Sequence, residues 1–275
     1  MSALRIFALP LIGLILLGGL VYHIFQREMT PPAPSGPPAV HIWADTALRL
    51  PLESPDMEHE YGLLGRFQRR TGIRTRVTYG TLADWEAEPD QHGLTDLVLT
   101  SNPAWRTWLS EAGSLGPERA FARHVPVILI HEDHHEQAPS PASLRDPDQR
   151  LGAGDLHGTV LGQLTVELLT NDTYSIDELQ QQVRFVGGSA DDVARAVEQN
   201  RVDAAIVWRD TALRHARRTT FAPWPDLEVR GPAVYALSLD HSPQGDAAAQ
   251  LARFLAGPAA NSLLYAYGFE TVDGK

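Results

Sequence analysis

Cysteine is absent from all 275 residues. That excludes disulfides, thiolate zinc sites, iron–sulfur ligation and lipid attachment through an N-terminal cysteine. It is compatible with an oxidising compartment without placing the protein in one. Positive charge is scarce as well: 23 Lys and Arg stand against 34 Asp and Glu, a formal net charge of -11. Such a surface repels phosphates and argues against a nucleic-acid partner. No GxSxG turn occurs, nor any other recognisable turn joining serine, histidine and carboxylate, so the chain reads as a non-enzyme with no cofactor. Internal repeats are missing too. What remains is an ordinary apolar content of 43%, in a chain long enough for one large or two small domains.

From Ile6 to Gln26 the chain runs 21 residues without a formal charge, between Arg5 and Arg27. About 20 apolar residues span a bilayer as a helix. A cleaved signal peptide has a shorter apolar core and a small-x-small site. Here the run ends in YHIFQRE, so residues 1–29 are expected to be an uncleaved signal anchor, a transmembrane helix. Residues 30–38 form a proline-rich linker, in which Pro31 to Pro38 read PPAPSGPP, a semi-rigid extended spacer. The expected location is the inner membrane, single-pass, with the globular part in the periplasm or extracytoplasmic space.

Beyond the spacer, strand and helix patterns alternate. VHIWA, TRVTYG, DLVLTS, VPVILI, VRFVGG, DAAIVW and AVYALSL read as strands. LLGRFQRRTG ends a helix on basic residues and a glycine, and PAWRTWLSEAG opens one on proline and closes on glycine. ADDVARAVEQN and the stretch from about 246 to 267 supply further helices. RLGAGDLHGTVLG reads as strand, glycine-rich turn and helix start, the grammar of an anion cradle without a lysine, nucleophile or metal ligand set. The alternation argues an α/β protein with a parallel or mixed sheet flanked by helices.

In order, WADTAL, RFQRRTGI, VTYGTL, DLVLTSNPAW, RLGAGDLHGTVLG, SADDVARAVEQNRVDAAIVWRD and LARFLAGPAANSLLYAYGF resemble the periplasmic molybdate-binding proteins. These are solute receptors of ABC importers with the type II periplasmic binding fold, and the resemblance covers nearly everything after the spacer. It implies two lobes, residues 39–123 plus 235–275 and residues 124–234. A small oxyanion such as molybdate or tungstate would lie in the cleft between them, with an ABC permease as partner. Several helix N-termini would face that cleft and hold the anion by backbone N–H groups.

The resemblance also implies a ligand site at Thr46, Ala47, Thr81, Leu161, Val193 and Trp208. Ala47 and Thr46 match a first loop that carries a serine in the family, and Thr81 matches a serine-rich second loop. Leu161 stands where a small residue is usual, Trp208 where a tyrosine is, and Val193 offers its backbone. Leu161 and Trp208 are expected to face each other across the cleft and narrow it. Asp45 either caps the following helix or faces the ligand. The pocket is thus divergent, and a sensor or interaction module on the same fold, with another ligand or none, is the alternative. HEDHHEQ (131–137) reads as a solvated turn, RHARR (214–218) as a surface run, and Trp43, Trp85, Trp105 and Trp108 as packing.

Overall fold

The computed structural model describes residues 39–54, 61–134, 140–224 and 231–272. The expected anchor and linker lie outside the described residues. Among the described residues, no helix is long and apolar enough to cross a membrane.

Among the described residues, ten strands run in chain order: β1 (Ala39–Ala44), β2 (Arg74–Tyr79), β3 (Leu97–Thr100), β4 (Leu115–Arg123), β5 (Pro126–His131), β6 (Leu151–Gly154), β7 (Val183–Gly187), β8 (Ala204–Trp208), β9 (Thr219–Pro223) and β10 (Ala233–Leu239). They form two five-stranded sheets, ordered β2-β1-β3-β10-β4 and β7-β6-β8-β5-β9. Each sheet has the same plan. Three parallel strands lie side by side, and the fourth position is filled by an antiparallel strand that arrives from the other sheet. β5 enters the second sheet this way, and β10 returns to the first.

Period-2 alternation divides each sheet's apolar residues between two faces. Val40, Ile42, Leu97 and Leu99 join one core with the helices Leu63–Thr71, Gly245–Leu255 and Pro258–Ala266. Trp43 and Val98 point the other way, onto Trp85, Trp105 and Leu109. The tryptophans are packing, as expected: Trp43 and Trp105 meet Trp85 edge-on at 5.2 and 5.3 Å. In the second sheet Ile128, Ala204, Ile206 and Trp208 face the helix Val160–Leu169, while Val127, Ala205 and Val207 face the helix Ala190–Glu198.

Because β6, β7 and β8 are parallel, their carboxyl ends share one edge of the second sheet. The carboxyl ends of β1, β2 and β3 do the same in the first. Loops and helix starts therefore collect at those two edges, the geometry in which open α/β sheets bind ligands. The described part of HEDHHEQ, residues 131–134, begins at the opposite end of the second sheet. Register pairs Pro126 with Trp208 and Ile130 with Ala204, so His131 sits at the far end of β5 from the Trp208 edge. Its described part is not solvated throughout: the His131 side chain is fully buried, with Nδ1 accepting from the Asp133 amide at 3.2 Å. Among the described residues, no three His, Asp or Glu side chains are grouped to hold a metal ion.

Candidate functional site

At these edges, donors at the ends of β2, β3 and β6 are engaged by nearby carboxylates. After β1, Asp45 does not cap the turn that follows it. Its Oδ2 instead accepts from Thr100 Oγ1 and from the Ser101 amide, both at 2.9 Å, at the end of β3. After β2, Asp84 accepts from the Thr81 amide at 2.7 Å and from its hydroxyl at 2.8 Å. After β6, Asp155 Oδ1 accepts from the His157 and Gly158 amides at 3.0 Å. Those hydrogen bonds hold the Asp84 and Asp155 carboxyls below the usual range, whereas burial raises that of Asp45 despite its own hydrogen bonds.

Between the two edges lies a cavity of about 270 Å³. The first sheet contributes Thr100, Ser101, Asn102 and Arg106, with Tyr235 and Leu237 of β10, and the second contributes Val160 and Gln163 from the first turn of their helix. Pro232 and Ala233 close it at the crossover. At a water's share of roughly 30 Å³, the space holds several water volumes, room for a small solute. Arg106 is not a free cation there. It forms a two-pronged ion pair with Glu118, whose Oε2 accepts from Nε at 2.6 Å, and its guanidinium lies 4.1 Å from the centre of the Tyr235 ring.

None of the six residues expected at the site is among the residues that line this cavity. Thr46 is exposed and Ala47 half-buried in the short turn after β1. Thr81 is exposed, its hydroxyl committed to a capping box with Asp84. Val193 is fully buried, and its amide donates to the Ser189 carbonyl at 3.3 Å, inside its own helix. Leu161 and Trp208 do not face each other across the cleft. Alternation along β8 sends Trp208 to the same face as Ala204 and Ile206, and Leu161 packs into that same core. The narrowing expected from their bulk therefore does not arise. Sequence reasoning missed Ser101, Asn102, Arg106, Gln163 and Tyr235. SNPAW carried a signal for two of them, Ser101 and Asn102: a strand ending in Ser-Asn-Pro marks a helix start at a strand's carboxyl end.

An ion network runs from the crossover into the second sheet. His124, between β4 and β5, places Nδ1 3.1 Å from Asp210 Oδ1, both side chains almost wholly buried. Arg214 then bridges Asp210 at 3.0 Å and Asp191 at 2.9 Å, and His215 joins Asp191 to Glu198. Two of the five RHARR residues, Arg214 and His215, are thus tied into this network. These partners lower Asp191 to about 2 and raise His215 above its ordinary value.

Residues 62–270 match the family model described as bacterial extracellular solute-binding protein. The chain belongs to that family. No curated protein matches it by sequence. Among solved structures it is similar to the Azotobacter vinelandii periplasmic molybdate-binding protein, at 16% identity and TM-score 0.61 over 84% of this chain and 98% of that one. It is similar to the sulfate-binding protein SubI of Mycobacterium tuberculosis, at 15% identity and TM-score 0.62 over 86% and 87%. It is also similar to iron-bound HitA of Pseudomonas aeruginosa, at 15% identity and TM-score 0.58 over 83% and 84%. At these identities the likeness is one of fold.

Proposed function

We propose that this protein is an extracytoplasmic receptor that binds a small oxyanion of the molybdate or tungstate type in the cavity between its two sheets and delivers it to an ABC importer. The observation that carries the reading is the cavity itself. It sits between two facing sets of strand carboxyl ends, with the Ser101–Asn102 loop on one side and the helix start at Val160 on the other. Helix starts present unpaired N–H groups and a positive dipole end, which favour an anion. Family membership supports a binding role over turnover, and similar folds include receptors titled for molybdate and sulfate. Thermal unfolding of the full chain in detergent, with molybdate, tungstate, sulfate and phosphate each added separately, tests this. A ligand at 100 times its dissociation constant stabilises by about 2.7 kcal/mol. Stabilisation by at least one oxyanion is expected, and none by any of the four would refute the reading.

The lobe boundaries at residues 123/124 and 234/235 and the tether belong to the same proposal. The apolar run at residues 6–26 is read as an uncleaved anchor that holds the receptor at the outer face of the inner membrane. The full chain should fractionate with membranes and keep its first residues. N-terminal sequencing that begins near Pro31 would overturn the anchor and leave the binding proposal standing.

A further inference from the structure

β2 is an outer strand of the first sheet, and its open edge is basic. From Tyr61 to Ala83 the chain carries five arginines and no Asp or Glu, in a protein of formal net charge -11. Arg70 lies in the last turn of the helix Leu63–Thr71. The left-handed cap at Gly72 then turns the chain into β2, where Arg74 and Arg76 share one face. Arg70, Arg74 and Arg76 are exposed, and among the described residues they enter no hydrogen bond, ion pair or ring contact. Arg106, Arg150 and Arg214 behave otherwise, each paired with a carboxylate. Arg69 is not counted with the three, because its guanidinium lies 4.7 Å from the centre of the Tyr61 ring.

The chain enters the sheet beside these arginines. β1 begins at Ala39, and the register sets Ala39 opposite Arg74 and His41 opposite Arg76, across neighbouring strands about 4.8 Å apart. Residues 27–38 alone separate Ala39 from the apolar run read as a membrane anchor. Fully extended, they span at most roughly 40 Å. A bilayer that holds the run is therefore always within reach of this edge.

We infer that the Arg70–Arg74–Arg76 edge docks the domain on anionic lipid headgroups of the membrane that anchors it. This rests on the anchor reading and is independent of which solute the cavity takes. A guanidinium presents a planar fork of donors that matches the oxygens of a phosphate. Each basic residue at an anionic surface adds about fivefold to partitioning, so three add roughly a hundredfold. That is little for a protein free in solution. A tether makes the contact intramolecular, at effective concentrations that reach the millimolar range for short linkers. The cavity stays open to solute when the edge is docked. Ala39 and Arg74 stand at the amino ends of β1 and β2, whereas Thr100 and Ser101 line the cavity at the carboxyl end of β3, which runs parallel to them.

Because the chain has no cysteine, one introduced thiol can carry a fluorophore. Gln68→Cys places it on the exposed Gln68, next to the basic edge, and Val186→Cys places it on the outer strand β7 of the second sheet. The full chain is held in nanodiscs of phosphatidylcholine, alone or mixed with phosphatidylglycerol, each carrying a headgroup quencher. The Gln68 label should be quenched at least about twofold more in the anionic discs, and the Val186 label equally in both. Raised salt should abolish the difference, since exposed charges are screened. So should the combined Arg70→Gln, Arg74→Gln, Arg76→Gln variant, whose melting curve should match the parent's because the three side chains make no ion pair or hydrogen bond. Equal quenching in the two lipids, or a difference that survives the triple substitution, overturns the inference. Quenching in neither overturns it too, and leaves the edge to an acidic protein surface. A chain that does not co-purify with either disc removes the anchor, and the inference with it, while the reading of the cavity stands.

Discussion

Replacing Gly162 by alanine should lower the melting temperature by roughly 10 °C. A Cβ at this position would lie 1.9 Å from the Asp155 carbonyl oxygen and 2.4 Å from its carbon. Both are backbone atoms, so no side chain can swing away. The loop they belong to is held from several directions at once. Asp155 Oδ1 takes the His157 and Gly158 amides, the Thr159 amide and hydroxyl donate to the Asp155 carbonyl, and the Gly162 amide donates to Thr159 Oγ1. Making room for one methyl would break part of this set. Overpacking costs about 1–3 kcal/mol, and a lost cap adds about 1. A domain of this size shifts by about 2–4 °C per kcal/mol. Circular-dichroism melts decide the matter, with Gly93→Ala as the control. Gly93 has nothing within 4 Å of its would-be Cβ and a backbone that alanine adopts freely, so that variant should melt within about 2 °C of the parent. An unchanged melt for Gly162→Ala would mean that the loop yields freely.

The second large effect is expected at Asp210. Its side chain is almost fully buried and serves His124 on one side and Arg214 on the other. Removing one partner of a buried ion pair leaves the other uncompensated, at a cost of about 3–5 kcal/mol. Asp210→Ala should therefore lose about 3 kcal/mol of unfolding free energy in a urea titration, near the low end because Arg214 keeps Asp191. Asp210→Asn, which can still bond His124, should lose clearly less. Equal losses in the two variants would show that the charge of Asp210, and not its shape or its hydrogen bond to His124, is what the pocket depends on.

The sequence made the central strands and the family legible for one physical reason. Strands buried on both faces are continuous apolar runs, such as VPVILI for β5 and DAAIVW for β8. Two of the four edge strands, β4 and β9, were illegible for the converse reason. β4 reads LGPERAFAR, with glycine, proline and three charges, because only part of it is buried. β9, TTFAP, is similar. The site was less legible than the fold. Ser101 and Gln163 are polar residues on loops and helix starts, of a kind found on any surface, and only the crossing of two sheets brings them together. Asp45 was visible, and so was the choice between capping and facing a ligand. Its actual partners lie 55 and 56 residues away in sequence, and no local rule reaches that far.

The crossover residues have a mechanical consequence. Arg123 exchanges backbone hydrogen bonds with Glu270, both at 2.9 Å, and its Nη1 donates to the Gly231 carbonyl. The His124 amide donates to the Pro232 carbonyl. Arg209, at the end of β8, clasps the Gly268 and Phe269 carbonyls at 3.1 and 3.0 Å, while its own amide donates to the Val125 carbonyl. The two covalent crossings and the C-terminal segment are thus sewn into one narrow seam. A seam of this kind is a pivot with very little play: translation of one sheet past the other would tear several backbone hydrogen bonds, whereas rotation about the seam tears few. Pro232 of the seam also lines the cavity, so a few degrees of torsion there become ångströms of travel at the cavity's outer rim.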